Sequence, residues 1–150
     1  MKIYLDVGNS RIKWRHDTSL HGHVANSLDE LAQQWQALGE AGRFELFGCN
    51  VRGETIAAQI SALAQTCFSC PVVWLTTTGE CCGVINGYRD SRRLGVDRWA
   101  ALIATRARIP DSACIVIDAG TAITVDALDI NGRHRGGVIM PGLRMMFEGL

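Results

Sequence analysis

Aspartates that end short apolar runs, each followed two positions later by glycine, occur twice in this chain. Ile3-Tyr4-Leu5-Asp6-Val7-Gly8-Asn9-Ser10 reappears as Ile115-Val116-Ile117-Asp118-Ala119-Gly120-Thr121-Ala122 at a constant offset of 112 residues. The large and β-branched apolar residues suit a strand, and the glycine allows the backbone to come close to a phosphate. Two copies of strand, acid and small polar turn suggest two related lobes that each present a loop to one ligand. For either copy alone, an Asp favouring a β-turn is the plain alternative; the repetition argues against it.

Between the copies, Gly95-Val96-Asp97-Arg98-Trp99 opens a helical run that Pro110 stops, so Asp97 and Arg98 fall in a first turn. Asp97 suits that place as an acid balancing the helix dipole. Arg98 does not, because a cation there opposes the dipole. A guanidinium needed for a nearby anion explains it better.

Phosphoryl transfer needs donors for the phosphates, carboxylates for metal and a base on the accepting hydroxyl. Gly8-Asn9-Ser10 and Gly120-Thr121 can offer amides and hydroxyls, and Lys13 can neutralise phosphate charge. Asp6 and Asp118 can hold hydrated Mg²⁺ or another cation. Asp97 can take a proton from an alcohol.

These residues need a scaffold. Residues 2–7 read as a strand turning through Gly8-Asn9-Ser10 into a hairpin partner at 11–15. The loop is therefore strand–turn–strand, unlike Walker and Rossmann glycine loops, which feed a helix. The capping box Ser27-x-x-Glu30 precedes Leu28, Leu31, Trp35 and Leu38 at helical spacing. Residues 43–48 alternate as a strand, 54–67 form a second helix, and 72–75 read as a continuous apolar strand of a parallel sheet. This is α/β organisation. Residues 16–24 carry no assigned element, and 76–88 read as a long loop. After Asp111-Ser112, three strands form a meander turning at Asn131-Gly132, and a helix begins after Pro141-Gly142. Such a meander leaves apolar faces uncovered.

The composition, 47% hydrophobic and 20% charged, is that of a globular protein. A formal charge of zero with scattered Lys and Arg excludes the footprint of a nucleic-acid binder. No apolar run approaches the roughly 20 residues of a membrane span, and Asp6 interrupts any signal-peptide core, so a cytoplasmic location is expected. Cys67-x-x-Cys70 with Cys81-Cys82 departs from zinc spacing, so ordinary thiols are expected.

Four motifs together resemble the type III pantothenate kinases, also called the Bvg accessory factor family. They are Asp6-x-Gly8-Asn9-Ser10, Gly95-x-Asp97-Arg98-Trp99-Ala100, Asp118-x-Gly120-Thr121-Ala122-x-Thr124-x-Asp126, and Gly136-Gly137-x-Ile139-x-Pro141-Gly142-Leu143. The resemblance implies the acetate and sugar kinase, heat-shock 70 and actin superfamily fold, with two ribonuclease-H-like lobes. The first would span residues 1–112; the second, beginning at 113, would be incomplete because family members are longer. It implies ATP-dependent phosphorylation of pantothenate in coenzyme A biosynthesis, with Mg²⁺ and a monovalent cation, K⁺ or NH₄⁺, by a homodimer. It implies that Asp6, Gly8, Asn9 and Ser10 form one phosphate loop and Gly120 and Thr121 the other, with Asp118 serving the monovalent cation. Asp97 would be the base, Arg98 would bind the pantothenate carboxylate, and Tyr88 and Gly95 would line its pocket. A non-catalytic protein retaining the fold, or another kinase or phosphatase of the superfamily, is the alternative.

Overall fold

A computed structural model of the chain describes residues 1–39 and 42–148. The chain forms two compact units, Met1–Leu75 and Thr76–Leu150.

In the first unit, β1 (Lys2–Val7) buries Ile3, Leu5 and Val7 on one face, as period-two alternation dictates. It pairs antiparallel with β2 (Ile12–His16), which pairs with β3 (His23–Ala25), and parallel with β4 (Glu45–Asn50). β5 (Val72–Trp74) adds a parallel strand beyond β4, giving the order β3-β2-β1-β4-β5. The helices α1 (Leu28–Gln36) and α2 (Glu54–Phe68) supply Leu31, Trp35, Ile60, Ala64 and Phe68 to the core against this sheet. Gly48 in β4 makes room for the Trp74 ring, which a Cβ there would meet at 2.7 Å.

Two features differ from the sequence reading. β3 lies where no element was expected: Ala25 is buried and the His23 ring stacks on Trp14 at 4.3 Å, so tertiary contacts make a strand of a short polar stretch. β5, expected to be buried on both faces, is an edge strand whose Val73 is exposed. Cys67 and Cys70 pack against the core, and burial pushes both thiols up.

In the second unit, the stretch expected to be a loop contains a tight hairpin, β6 (Glu80–Cys81) and β7 (Val84–Ile85), turning at Cys82 (φ 51°) and Gly83 (φ 76°). Positive φ at both turn residues matches the right-handed twist of a two-residue hairpin. A short 3₁₀ turn, Ser91–Arg93, leads into α3 (Val96–Arg108). The meander follows as β8 (Cys114–Ala119), β9 (Ala122–Leu128) and β10 (His134–Pro141), all antiparallel, and α4 (Leu143–Glu148) comes last.

Trp99 and Leu102 of α3 join Val84, Leu94 and Leu128 in one buried cluster. This packing is why the units divide after Leu75, whereas the boundary read from sequence lies at residue 112. On the sheet face carrying Ile115 and Ile117, both are more than 60% exposed (63% and 64%), as expected of a meander whose apolar faces are incompletely covered. Among the described residues, no helix is long and apolar enough to cross a membrane.

The α1 cap gives the fold a direct test. Ser27 Oγ accepts from the Glu30 amide at 3.1 Å, while the Glu30 carboxylate accepts from the Asn26 amide at 2.8 Å, which holds its pKa below the usual value. Ser27→Ala should therefore lower the unfolding free energy in urea by about 1 kcal/mol. The Glu30 contribution, from a depressed carboxylate, should be present at neutral pH and fade as pH falls through its folded pKa.

Candidate functional site

The first Asp-x-Gly turn joins β1 to β2. Gly8 N donates to Arg11 O at 3.1 Å and closes the turn, and the register sets Asp6 opposite Lys13. Lys13 Nζ donates to Asp6 Oδ2 at 3.2 Å, and the Cys49 thiol lies 3.6 Å from Oδ1. A cation the sequence reading missed joins them: Arg52, in the loop between β4 and α2, donates through Nε to Asn9 O at 3.0 Å. Its signal was available, since a loop following the strand parallel to β1 must emerge at the same end of the sheet.

The second turn joins β8 to β9 with Asp118 opposite Thr124, and Gly120 N donates to Ala122 O at 2.9 Å. The Asp118 side chain is exposed. Gly142 braces this turn: its amide donates to Thr121 O at 2.9 Å, and a Cβ on Gly142 would run into the Gly120 and Thr121 carbonyls. The Pro141-Gly142 pair thus holds the second loop in place.

Gly8 and Gly120 share one property. A Cβ at Gly8 would sit 3.5 Å from Arg11 O and at Gly120 3.7 Å from Ala122 O, ordinary contacts, and neither residue has positive φ. The fold does not demand glycine at either turn; a group approaching the backbone closely would.

The third cluster is centred on buried polar side chains. Asp97 is the second residue of α3, after the N-cap Gly95, and its Oδ1 accepts from the Arg98 amide at 2.7 Å. Asp97 Oδ2 has no hydrogen bond among the described residues. A Cβ at Gly95 would lie 2.6 Å from Asp97 Oδ1, so glycine there gives the carboxylate its room.

Arg98 turns inward, 6% exposed, onto Asp126 of β9. Nε donates to Oδ2 at 2.8 Å and Nη2 to Oδ1 at 2.5 Å, a bidentate pair. Bonding to Asp126 pushes the Arg98 pKa up, outweighing the opposite effect of burial. Nη1 faces the Tyr88 hydroxyl at 3.4 Å. His134 Nε2 lies 2.7 Å from Asp126 Oδ1, and the His134 ring stacks on Tyr88 with centroids 5.6 Å apart. Asn86 ties down the Tyr88 loop by accepting from the Tyr88 amide and donating to Thr78 O and Ser91 O.

The structure thus brings Tyr88, Gly95, Asp97 and Arg98 together, as expected. It adds Asp126, His134 and Asn86, to which the sequence assigned no role. The Gly136-Gly137 motif also acquires a reason. A Cβ on Gly137 would strike Asp126 Oδ1 and lie 2.6 Å from Arg98 Nη2, so β10 passes directly over the ion pair.

A mixed α/β chain with two Asp-x-Gly turns between antiparallel strands, and a helix start that sets Asp97 beside the buried Arg98, has the fold expected of the acetate and sugar kinase, heat-shock 70 and actin superfamily. A crystal structure of an Aquifex aeolicus Ppx/GppA family member superposes on 98% of the chain and 53% of its own at a TM-score of 0.50 and 15% identity, which shows the shared fold. The chain belongs to the type III pantothenate kinase family, whose description matches residues 2–150. Curated relatives of that name come from Alkalilimnicola ehrlichii, 42% identical over 99% of the chain, and Halorhodospira halophila, 40% identical over 100%. The chain spans 61% and 63% of the lengths of these two relatives.

If β10 is shaped around the ion pair, Gly137→Ala should destabilise the protein by about 2 kcal/mol or more in chemical denaturation, because overpacking a filled site forces neighbours apart. Gly79→Ala, where a Cβ meets nothing within 4 Å, should change stability by less than about 0.5 kcal/mol.

Proposed function

We propose that the whole protein transfers the γ-phosphoryl group of ATP to the primary hydroxyl of pantothenate, giving 4′-phosphopantothenate, the first step toward coenzyme A. The observation that carries this reading is the start of α3. A carboxylate with an uncommitted oxygen adjoins a guanidinium whose remaining donors face a tyrosine hydroxyl. Family membership supports it.

In this reading Arg98 Nη1 and the Tyr88 hydroxyl hold the pantothenate carboxylate, and Gly95 leaves space beside it. Asp97 Oδ2 accepts the proton of the substrate hydroxyl as its oxygen bonds to phosphorus and the bond to ADP breaks. Asn9, Ser10 and Thr121 take the phosphate oxygens, Gly8 and Gly120, whose own amides close the turns, leave room for the phosphates to approach, and Lys13 and Arg52 supply positive charge. The exposed Asp118 carboxylate suits a monovalent cation, since hard cations take oxygen ligands. Lys13 occupies Asp6 Oδ2, so Asp6 suits Mg²⁺ held through water. Such cations neutralise charge on the transferring phosphoryl group. The whole protein works as a cytoplasmic homodimer.

In the full-length protein with Mg²⁺ and K⁺, pantothenate should drive ADP release. Asp97→Asn should lower kcat by about 10²-fold or more, the usual worth of a general base. Absence of turnover in the unaltered protein would contradict the proposal. Pantothenate binding without turnover would favour a non-catalytic member of the fold.

A further inference from the structure

Asp126 stands between two buried partners. Its Oδ2 accepts from Arg98 Nε and its Oδ1 is shared by Arg98 Nη2 and His134 Nε2. A carboxylate gripped by a guanidinium can only accept, so His134 Nε2 carries a hydrogen and donates it. His134 Nδ1 is buried with no hydrogen-bond partner among the described residues. A buried polar atom left unsatisfied is costly, so an imidazole 1% exposed at this position serves some purpose beyond filling space.

Geometry supplies the purpose. A guanidinium is a rigid plane with five donors. Asp126 fixes the Nε and Nη2 side, which leaves the Nη1 edge turned toward Tyr88. An aspartate held on one side only could swing together with the arginine. Here His134 holds Oδ1 as a second anchor, and its ring is itself held against Tyr88.

We infer that Asp126 and His134 are positioning residues that hold the Nη1 edge of Arg98 ready for an incoming carboxylate. This rests on the function proposed above for Arg98. Neither residue touches the reacting atoms.

The test uses the full-length protein and three variants. His134→Gln, whose amide can donate from near the Nε2 position, should keep the pantothenate KM within about twofold of wild type, because the hydrogen bond is retained. His134→Ala should raise that KM about tenfold while kcat and the ATP KM stay unchanged, the loss expected for one charge-assisted hydrogen bond. Asp126→Asn should raise it further, but it leaves Arg98 buried without its counter-charge and is prone to misfold, so the His134 pair carries the comparison. A pantothenate KM unmoved by His134→Ala, or kcat and both KM values degraded together, would overturn the inference.

Solvent exchange of the Arg98 Nε–H, followed by nitrogen-edited NMR, reads positioning without substrate. It should be slow in wild type and His134→Gln and fast in His134→Ala. Equal protection in all three overturns the inference even if pantothenate is phosphorylated. If wild type neither binds nor phosphorylates pantothenate, the function proposal fails, and the exchange comparison alone decides whether His134 positions Arg98.

Discussion

The second unit is built around a buried ion pair. Arg98 and Asp126 lose their hydration when α3 docks on β9, and only mutual bidentate contact makes that tolerable. The pair dictates what surrounds it. β10 must carry glycine at 137 where it crosses, α3 must begin where Arg98 can reach inward, and the Tyr88 loop must lie against the remaining guanidinium edge. A buried pair of this kind contributes little net stability compared with apolar packing, but removing one partner costs about 3–5 kcal/mol. It specifies geometry more than it stabilises. That is what the binding role proposed for Arg98 requires.

The two Asp-x-Gly turns obey a different constraint. Each sits between paired antiparallel strands, and in β1 and β2 burial of alternate residues fixes the register, so the first acid and glycine cannot slip relative to the sheet. The glycines are not needed to make the turns. What they provide is room beside the backbone, and the repeated pairing of that room with a strand-end carboxylate suits the polyphosphate and cations of the proposed reaction.

Much of this was legible in the sequence. Periodicity gave the long strands and all three longer helices, because Ile3, Leu5 and Val7 or Leu31 and Trp35 can be buried together only in one secondary structure. The Asp-x-Gly repeat marked two strand-joining turns, and Gly95-x-Asp97-Arg98 marked the helix start that the structure sets beside Tyr88. What stayed hidden depends on register and tertiary contact. β3 is three residues of low apolar content held by pairing with β2, and strands as short as β6 and β7 have no periodicity to read. Asp126 meets Arg98 from 28 positions away, and His134 comes to the Asp126 face of the sheet through a shift of the β9–β10 pairing between His134 and Gly136 that no local pattern announces. Arg52 reaches Asn9 from 43 positions away.

The central claim is that Arg98, fixed by Asp126, presents the Nη1 edge it shares with Tyr88 to a carboxylate. Calorimetric titration of the full-length protein with pantothenate, and with its alcohol analogue in which a hydroxymethyl group replaces the carboxylate, isolates that contact. The account predicts that pantothenate binds about tenfold or more tightly than the alcohol, the difference one charge-assisted hydrogen bond makes. Equal affinity for the two compounds would contradict it.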